Sequence, residues 1–451
     1  MQLMPTITES SVVRLWDRLA RSGREFQTVE GEPLRVIYPG RTSDEPGSDI
    51  RDAVLRIGGR EVKGAIEVHV GSRGWQAHRH DRDRTYNGIV LHVVLQHDAL
   101  MPTCLENGVP VPVVALQDCP ETVGSALEPP SYPCSRLPPD LLTRALDDAG
   151  MARFEEKAAA FRADMQASDP AQVLHEGIMR ALGYSRNCTP FLTLARRLPL
   201  SALEPFIKQR DELGLEARLF GMAGLLPSQR TDAPPPVLRG PYVQEIEARW
   251  RAHPCSGSLT LAHWRLFRVR PGNHPARRLA GMVRLLRRHG DGLLEGLMTL
   301  VAGASPEDVP AWLEAGLTVP AEGYWADHYD FGRSCPNLGL HLIGGARVVE
   351  IVVNVLLPFG VGWGQGRRAG HLSHAKGNLS GKASRLFATH PAADENAIGR
   401  QMRAQLGLKR AAVSTAERQQ GLLHLYKRYC TQGRCGECPL GKYQWTRDKP
   451  Q

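Results

Sequence analysis

At 451 residues, with 42% hydrophobic and 23% charged side chains, the chain is long enough for two or more domains and too apolar to be disordered throughout. Its formal charge of +9 permits an anionic partner without specifying one. Residues 1–20 lack the basic, apolar, small-residue progression of an export signal. The longest apolar run, 351–363, contains Asn354, Pro358 and two glycines and is too short to span a bilayer. Nine cysteines in such a chain read as reduced thiols or metal ligands. A cytoplasmic protein with no membrane partner is expected.

In chain order, Ser10 or Ser11 caps a helix whose apolar residues Val12, Leu15, Trp16 and Leu19 recur at helical spacing. Strand-like runs follow at 34–38, 53–57, 62–70, 89–95 and 109–116. Gly58-Gly59 marks a tight hairpin between the second and third, and the polar stretch 80–87 is helix-permissive. This order of elements predicts a small α/β sheet domain over 1–118. Residues 119–140, rich in proline, read as a linker. Helical patterns dominate 141–451, at 141–165, 171–182, 212–225, 242–252, 276–289, 338–356 and 394–429. The glycine-, serine- and histidine-rich stretch 365–389 reads as a loop. The fold class expected is α+β: a mixed-sheet domain, then a larger, mostly helical region.

The chemistry concentrates on one strand. Alternation along 62–70 sends Ile66, Val68 and Val70 to one face and Glu67 and His69 to the other. Asp49 precedes the strand that the hairpin pairs with this one, so the two carboxylates can converge. Paired carboxylates suit Mg²⁺ or Mn²⁺, which can polarise a phosphate and generate hydroxide. The layout resembles the PD-(D/E)xK nuclease pattern. By that resemblance the sheet domain is restriction-endonuclease-like, Asp49 and Glu67 are metal ligands, and His69 stands where the lysine usually stands. A neutral imidazole can orient water or act as a base, but it lacks the permanent charge of lysine.

His78-x-His80 follows, with acids close behind. This pair can bind a transition metal or approach a phosphate beside Glu67, and otherwise reads as solvated loop histidines. His92, flanked by apolar residues, reads as structural. The run Pro39-Gly40, Gly47-Ser48-Asp49, Gly64 to His69, Trp75, His78-x-His80, Asp83, Tyr86-Asn87 and Leu91-His92-Val93-Val94 resembles the bacterial family known as domain of unknown function 2851. So do Tyr132-Pro133-Cys134, Phe220 to Leu226, Arg270 to Leu279, Asn354 to Phe359 and the terminal cysteines. The resemblance covers nearly the whole chain and implies no established activity. Members usually carry Pro-Asp-Phe where Ser48-Asp49-Ile50 stands here.

Two further features bear on partners. Between Arg265 and Arg288 stand eight arginines and no carboxylate. In a helix from Ala276, Arg277, Arg284 and Arg288 form one stripe which, with Arg270, is expected to hold nucleic acid. The Asn273-His274-Pro275 turn offers amides to a phosphate. Near the end, Cys430, Cys435 and Cys438 have Cys-x4-Cys-x2-Cys spacing, which suits zinc or an iron–sulfur cluster, with Cys335, Cys134 or His424 as the fourth ligand. The Cys-x2-Cys-Pro-Leu ending resembles the cluster loop of helix-hairpin-helix DNA glycosylases. The expectation is a metal-dependent nuclease. The alternatives are a non-catalytic nucleic-acid-binding or assembly protein with a structural metal, and a small-molecule metalloenzyme built on His78, His80 and an acid.

Overall fold

The computed structural model describes residues 7–43, 47–118, 132–232, 240–305, 309–365 and 373–441. They divide into two compact units, one of 1–149 with 395–413 and 420–451, the other of 150–394 with 414–419. The class is α+β, as expected, but the division is discontinuous in sequence. The cysteine-bearing end belongs with the sheet and not with the helical region. Most of the expected linker, 119–131, lies outside the described residues.

In the first unit, helix α1 (Glu9–Ala20) precedes a seven-stranded sheet. Its strands are β1 (Glu25–Gln27), β2 (Pro33–Tyr38), β3 (Arg41–Thr42), β4 (Ile50–Ile57), β5 (Arg60–Gly71), β6 (Ile89–Gln96) and β7 (Val113–Ala115). The order is β1-β2-β4-β5-β6-β7, with the short β3 on β4. The pairs from β1 to β5 are antiparallel, and β5–β6 and β6–β7 are parallel. Gly58 and Gly59, both at positive φ, make the β4–β5 hairpin. The run at 109–116 is shorter than expected because Pro110 and Pro112 donate nothing to a ladder. The short strands β1 and β3 carry no readable alternation.

Parallel neighbours cannot be joined by a hairpin. The crossover from β5 to β6 therefore carries a short helix, α2 (Gly74–Ala77), and two 3-10 turns, at His80–Arg82 and Arg84–Tyr86. One core lies between α1 and the sheet, with Val12, Trp16, Leu19, Leu55, Ile66, Val68, Leu91 and Val93. The crossover builds a separate small core from Trp75, Ile89, Leu105 and Val111, with Ala65 and Tyr86 against it. A third cluster joins Tyr38 and Val54 of the sheet to Leu422, Leu425, Tyr426, Cys430 and Cys438 of the C-terminal segment.

The second unit is a helical body around one large core. Helices Pro170–Leu182, Glu212–Ala223, Pro241–Ala252 and Pro275–His289 fall close to the expected spans. The helix expected at 338–356 is displaced. His341–Ile343 pairs as a strand, and an apolar helix runs over Gly345–Gly364 with a π-helical turn at Val352–Leu356. That 20-residue helix is long and apolar enough to cross a membrane by length and composition, but 72% of its apolar window is buried inside the protein. Asn354 donates to the Glu350 carbonyl at 3.1 Å and to its carboxylate at 2.7 Å. Within the stretch read as a loop, 373–389 is helical, and 366–372 lies outside the described residues.

Trp16 is fully buried, its ring 5.1 Å from that of Phe26. Trp16→Ala is expected to lower stability by roughly 3–5 kcal/mol through lost burial and the remaining cavity, as measured by chemical denaturation. A loss below about 1 kcal/mol would contradict this account of the α1–sheet core.

Candidate metal centre

Strand alternation places Glu67 and His69 on the face of β5 opposite α1, while Ile66 and Val68 enter the α1 core. Ile50 lies opposite Ile66, which sets Asp49 beside Glu67. The contact is reciprocal. The Asp49 N–H donates to Glu67 Oε2 at 3.3 Å, and Asp49 Oδ2 accepts from the Val68 N–H at 2.9 Å. Sequence spacing anticipates this meeting of the two acids.

The crossover then returns over the same face. Gly74 lies against the His69 ring, where a Cβ would approach Cδ2 to 2.7 Å, so only glycine lets α2 sit so close. Trp75, fully buried, is fixed by its indole N–H to the Cys104 carbonyl at 2.9 Å. Arg79 takes the left-handed conformation at φ 61°, and the next residue, His80, turns inward. His80 is 5% exposed and packs on Tyr86, with ring centroids 3.8 Å apart. Its Nε2 lies 3.3 Å from Glu67 Oε1, yet neither ring nitrogen completes a hydrogen bond.

Four imidazoles meet here. His69 Nδ1 is 2.9 Å from His92 Nε2, and His69 Nε2 is 3.1 Å from His78 Nδ1. His92 Nδ1 is 3.3 Å from Thr103 Oγ1. One consistent proton assignment runs outward: His92 donates to Thr103, His69 donates to His92, and the His69 Nε2 lone pair is left facing His78. Donor nitrogens of His69, His78 and His80 all lie within 4.8 Å of one another. Nitrogens at such separations can share a proton or an ion. His92, read from sequence as structural, is the missing supporting residue. The signal for it was its register opposite Glu67 on the adjacent parallel strand.

The electrostatics favour a cation. Burial, then the Glu67 charge, raises the Asp49 carboxyl to about 6, against the opposing Val68 N–H. Burial, then the neighbouring imidazoles, lowers His69 and His92 to about 3, so both rings are neutral at physiological pH and His69 keeps its Nε2 lone pair available. Tyr86 is raised to about 12 by burial and by Glu67, so its phenol keeps its proton. A cleft of about 630 Å³ adjoins the acids, lined by Gly47, Ser48, Arg51, Lys63, Thr85 and Gln432 among others.

The arginine stripe is corrected by the structure. It lies in the other unit, and Arg277 faces no solvent. Its guanidinium is fully buried and donates to the carbonyls of Trp325, His328 and Gly339. Arg284 and Arg287 both pair with Glu212. Arg288 is exposed and donates to the Gly316 carbonyl at 2.9 Å, and Arg270 is exposed. The acids and carbonyls that compensate this run come from distant segments, which no local window contains. The His274 side chain accepts from the Ala276 N–H, so the turn caps its own helix. Of the terminal cysteines, Cys430 and Cys438 are buried and Cys435 is exposed.

Residues 9–380 match the family described as protein of unknown function (DUF2851). Neither a curated protein nor a solved structure matches the chain.

Two outcomes follow from these placements. Arg277→Met, which leaves three carbonyls without their donor, is expected to cost on the order of 3 kcal/mol in denaturant unfolding, against about 0.5 kcal/mol for Arg288→Met. Equal effects would put both residues at the surface. The second concerns pH. His69 and His92 fall from 6.5 to about 3 on folding, so the unfolded chain takes up protons first on acidification. The stability held by the neutral rings is full above 6.5 and drains as the pH falls towards 3. In chelator, His92→Gln should flatten the decline of Tm with pH across that window. An unchanged slope would mean that His92 is not held neutral.

Proposed function

We propose that this chain, which belongs to the DUF2851 family, is a metal-dependent phosphodiester hydrolase acting on nucleic acid, with its centre at Asp49, Glu67, His69, His78 and His80. One observation carries this reading: two carboxylates and three imidazoles meet on one face of the sheet, beside a cleft lined by their chain neighbours Ser48 and Ala65 together with Arg51 and Lys63. The carboxylates offer the hard oxygens that Mg²⁺ or Mn²⁺ takes. The added nitrogens shift the preference towards Mn²⁺ or another first-row ion, since Mg²⁺ rarely accepts imidazole. A divalent ion bound there would lower the pKa of a water and polarise a phosphate oxygen.

The chain's own groups do the rest. His92, braced by Thr103, fixes the ring of His69 and its tautomer. Asp49 and Glu67 hold each other in place through the backbone of the facing strand. Arg51 and Lys63 give the cleft cationic groups suited to a phosphate backbone. The lysine of the PD-(D/E)xK pattern is replaced by His69, which burial keeps neutral, so transition-state charge must be met by the ion and by cleft cations. That same replacement favours one second reading, a nuclease-like module that binds nucleic acid without cutting it.

The deciding experiment incubates the purified chain with labelled single- and double-stranded DNA and RNA in Mn²⁺, Mg²⁺ or Zn²⁺. Cleavage should fall by about 100-fold or more in Asp49→Ala plus Glu67→Ala. Arg51→Ala plus Lys63→Ala should raise KM and weaken its salt dependence. Binding unaffected by the acidic changes, with no turnover in any metal, selects the second reading. Neither binding nor turnover rejects both.

A further inference from the structure

Independently of that site, the structure assigns Cys134, Cys430, Cys435 and Cys438 to one four-thiolate metal centre, spaced for an iron–sulfur cluster. All four belong to the sheet-bearing unit, whereas Cys335 belongs to the other. Cys134 sits in the short helical turn Pro133–Arg136, far in sequence from the other three. The buried Gln405 amide joins the two segments: its Nε2 is 3.9 Å from Cys134 Sγ and 3.7 Å from Cys430 Sγ. Gln405 is 5% exposed, and its Oε1 has no hydrogen-bond partner. The amide therefore turns its donor side towards sulfur and leaves its acceptor unused, an orientation that suits thiolates.

Other features agree. The backbone N–H groups of Leu440 and Gly441 point at the Cys438 sulfur, as amides do around metal-bound thiolates. A Cβ on Gly441 would meet the Cys435 carbonyl at 1.9 Å, so the loop closes this tightly only with glycine there. All four are free cysteines, with Cys430 and Cys438 buried and Cys134 partly buried.

Cys430-x4-Cys435-x2-Cys438, joined by a fourth cysteine far along the chain, is a spacing by which four thiolates hold an iron–sulfur cluster. The position also gives the cluster a task. Thr431 and Gln432, which line the cleft, follow Cys430 directly, Lys63 Nζ donates to the Gln432 carbonyl at 3.2 Å, and a Cβ on Gly433 would lie 3.1 Å from side-chain atoms of Ile37 and Val54. The centre would pin this wall of the cleft to the sheet.

The test is to purify the full chain without air and measure iron, acid-labile sulfide and zinc. Iron and acid-labile sulfide in equal amounts, about two to four of each per chain, are expected, with the broad visible absorption of a thiolate-bound cluster. Iron should be lost in Cys134→Ser and in Cys435→Ser, the exposed position least needed for packing, and kept in Cys104→Ser and Cys335→Ser. Hydrogen exchange on the wild-type chain should show faster exchange at 429–441 once iron is chelated. Four titratable thiols with no metal, zinc without sulfide, or iron retained in Cys134→Ser would overturn the assignment, whatever the fate of the Asp49 site.

Discussion

The candidate site depends on one pairing, the antiparallel register of β4 on β5. Setting Ile50 opposite Ile66 brings Asp49 to Glu67, and each acid is then tied to the other's strand by a backbone hydrogen bond. A one-residue slip would turn Glu67 and His69 towards α1 and send Ile66 and Val68 to the cleft side. The sheet residues packed in the α1 core, including Leu55, Leu91 and Val93, oppose that slip. The hydrophobic face of β5 thus fixes the direction of its chemical face.

The parallel step from β5 to β6 supplies the second constraint. A parallel neighbour demands a crossover, and this crossover is short, so it must fold against the sheet face that α1 leaves free. Gly74, Trp75 and the left-handed Arg79 shape it, and they deliver His78 and His80 onto Glu67 and His69. Buried acids and neutral imidazoles crowded together are costly by themselves, which is why Asp49 is raised while His69 and His92 are lowered. A divalent cation reverses both penalties with one charge. The thiols packed with Tyr38 and Val54 pose an analogous problem in sulfur chemistry.

Much of the site was legible because it is written in short-range terms. Period-two alternation and a two-glycine turn suffice to place Glu67, His69 and Asp49 together. His78 and His80 were visible as possible metal ligands, but their approach to Glu67 depends on a backbone conformation at Arg79 that no periodicity encodes. His92 looked structural because its neighbours are apolar, and its role comes from an interstrand contact. The arginine run misled for the opposite reason. Glu212 and the carbonyls of Trp325, His328 and Gly339 answer it from far along the chain. Likewise the C-terminal helices read as one long helical segment, whereas packing against Tyr38 and Val54 assigns their ends to the sheet unit. Family membership added the order of motifs but no chemistry.

The central claim is that the acids and imidazoles around Glu67 hold one divalent cation. The most direct measurement is pulsed electron paramagnetic resonance of the wild-type chain loaded with one equivalent of Mn²⁺. Nitrogen couplings from directly bound imidazole, weakened in His78→Ala plus His80→Ala, are the result predicted. A spectrum of hydrated Mn²⁺ with no nitrogen coupling would contradict it.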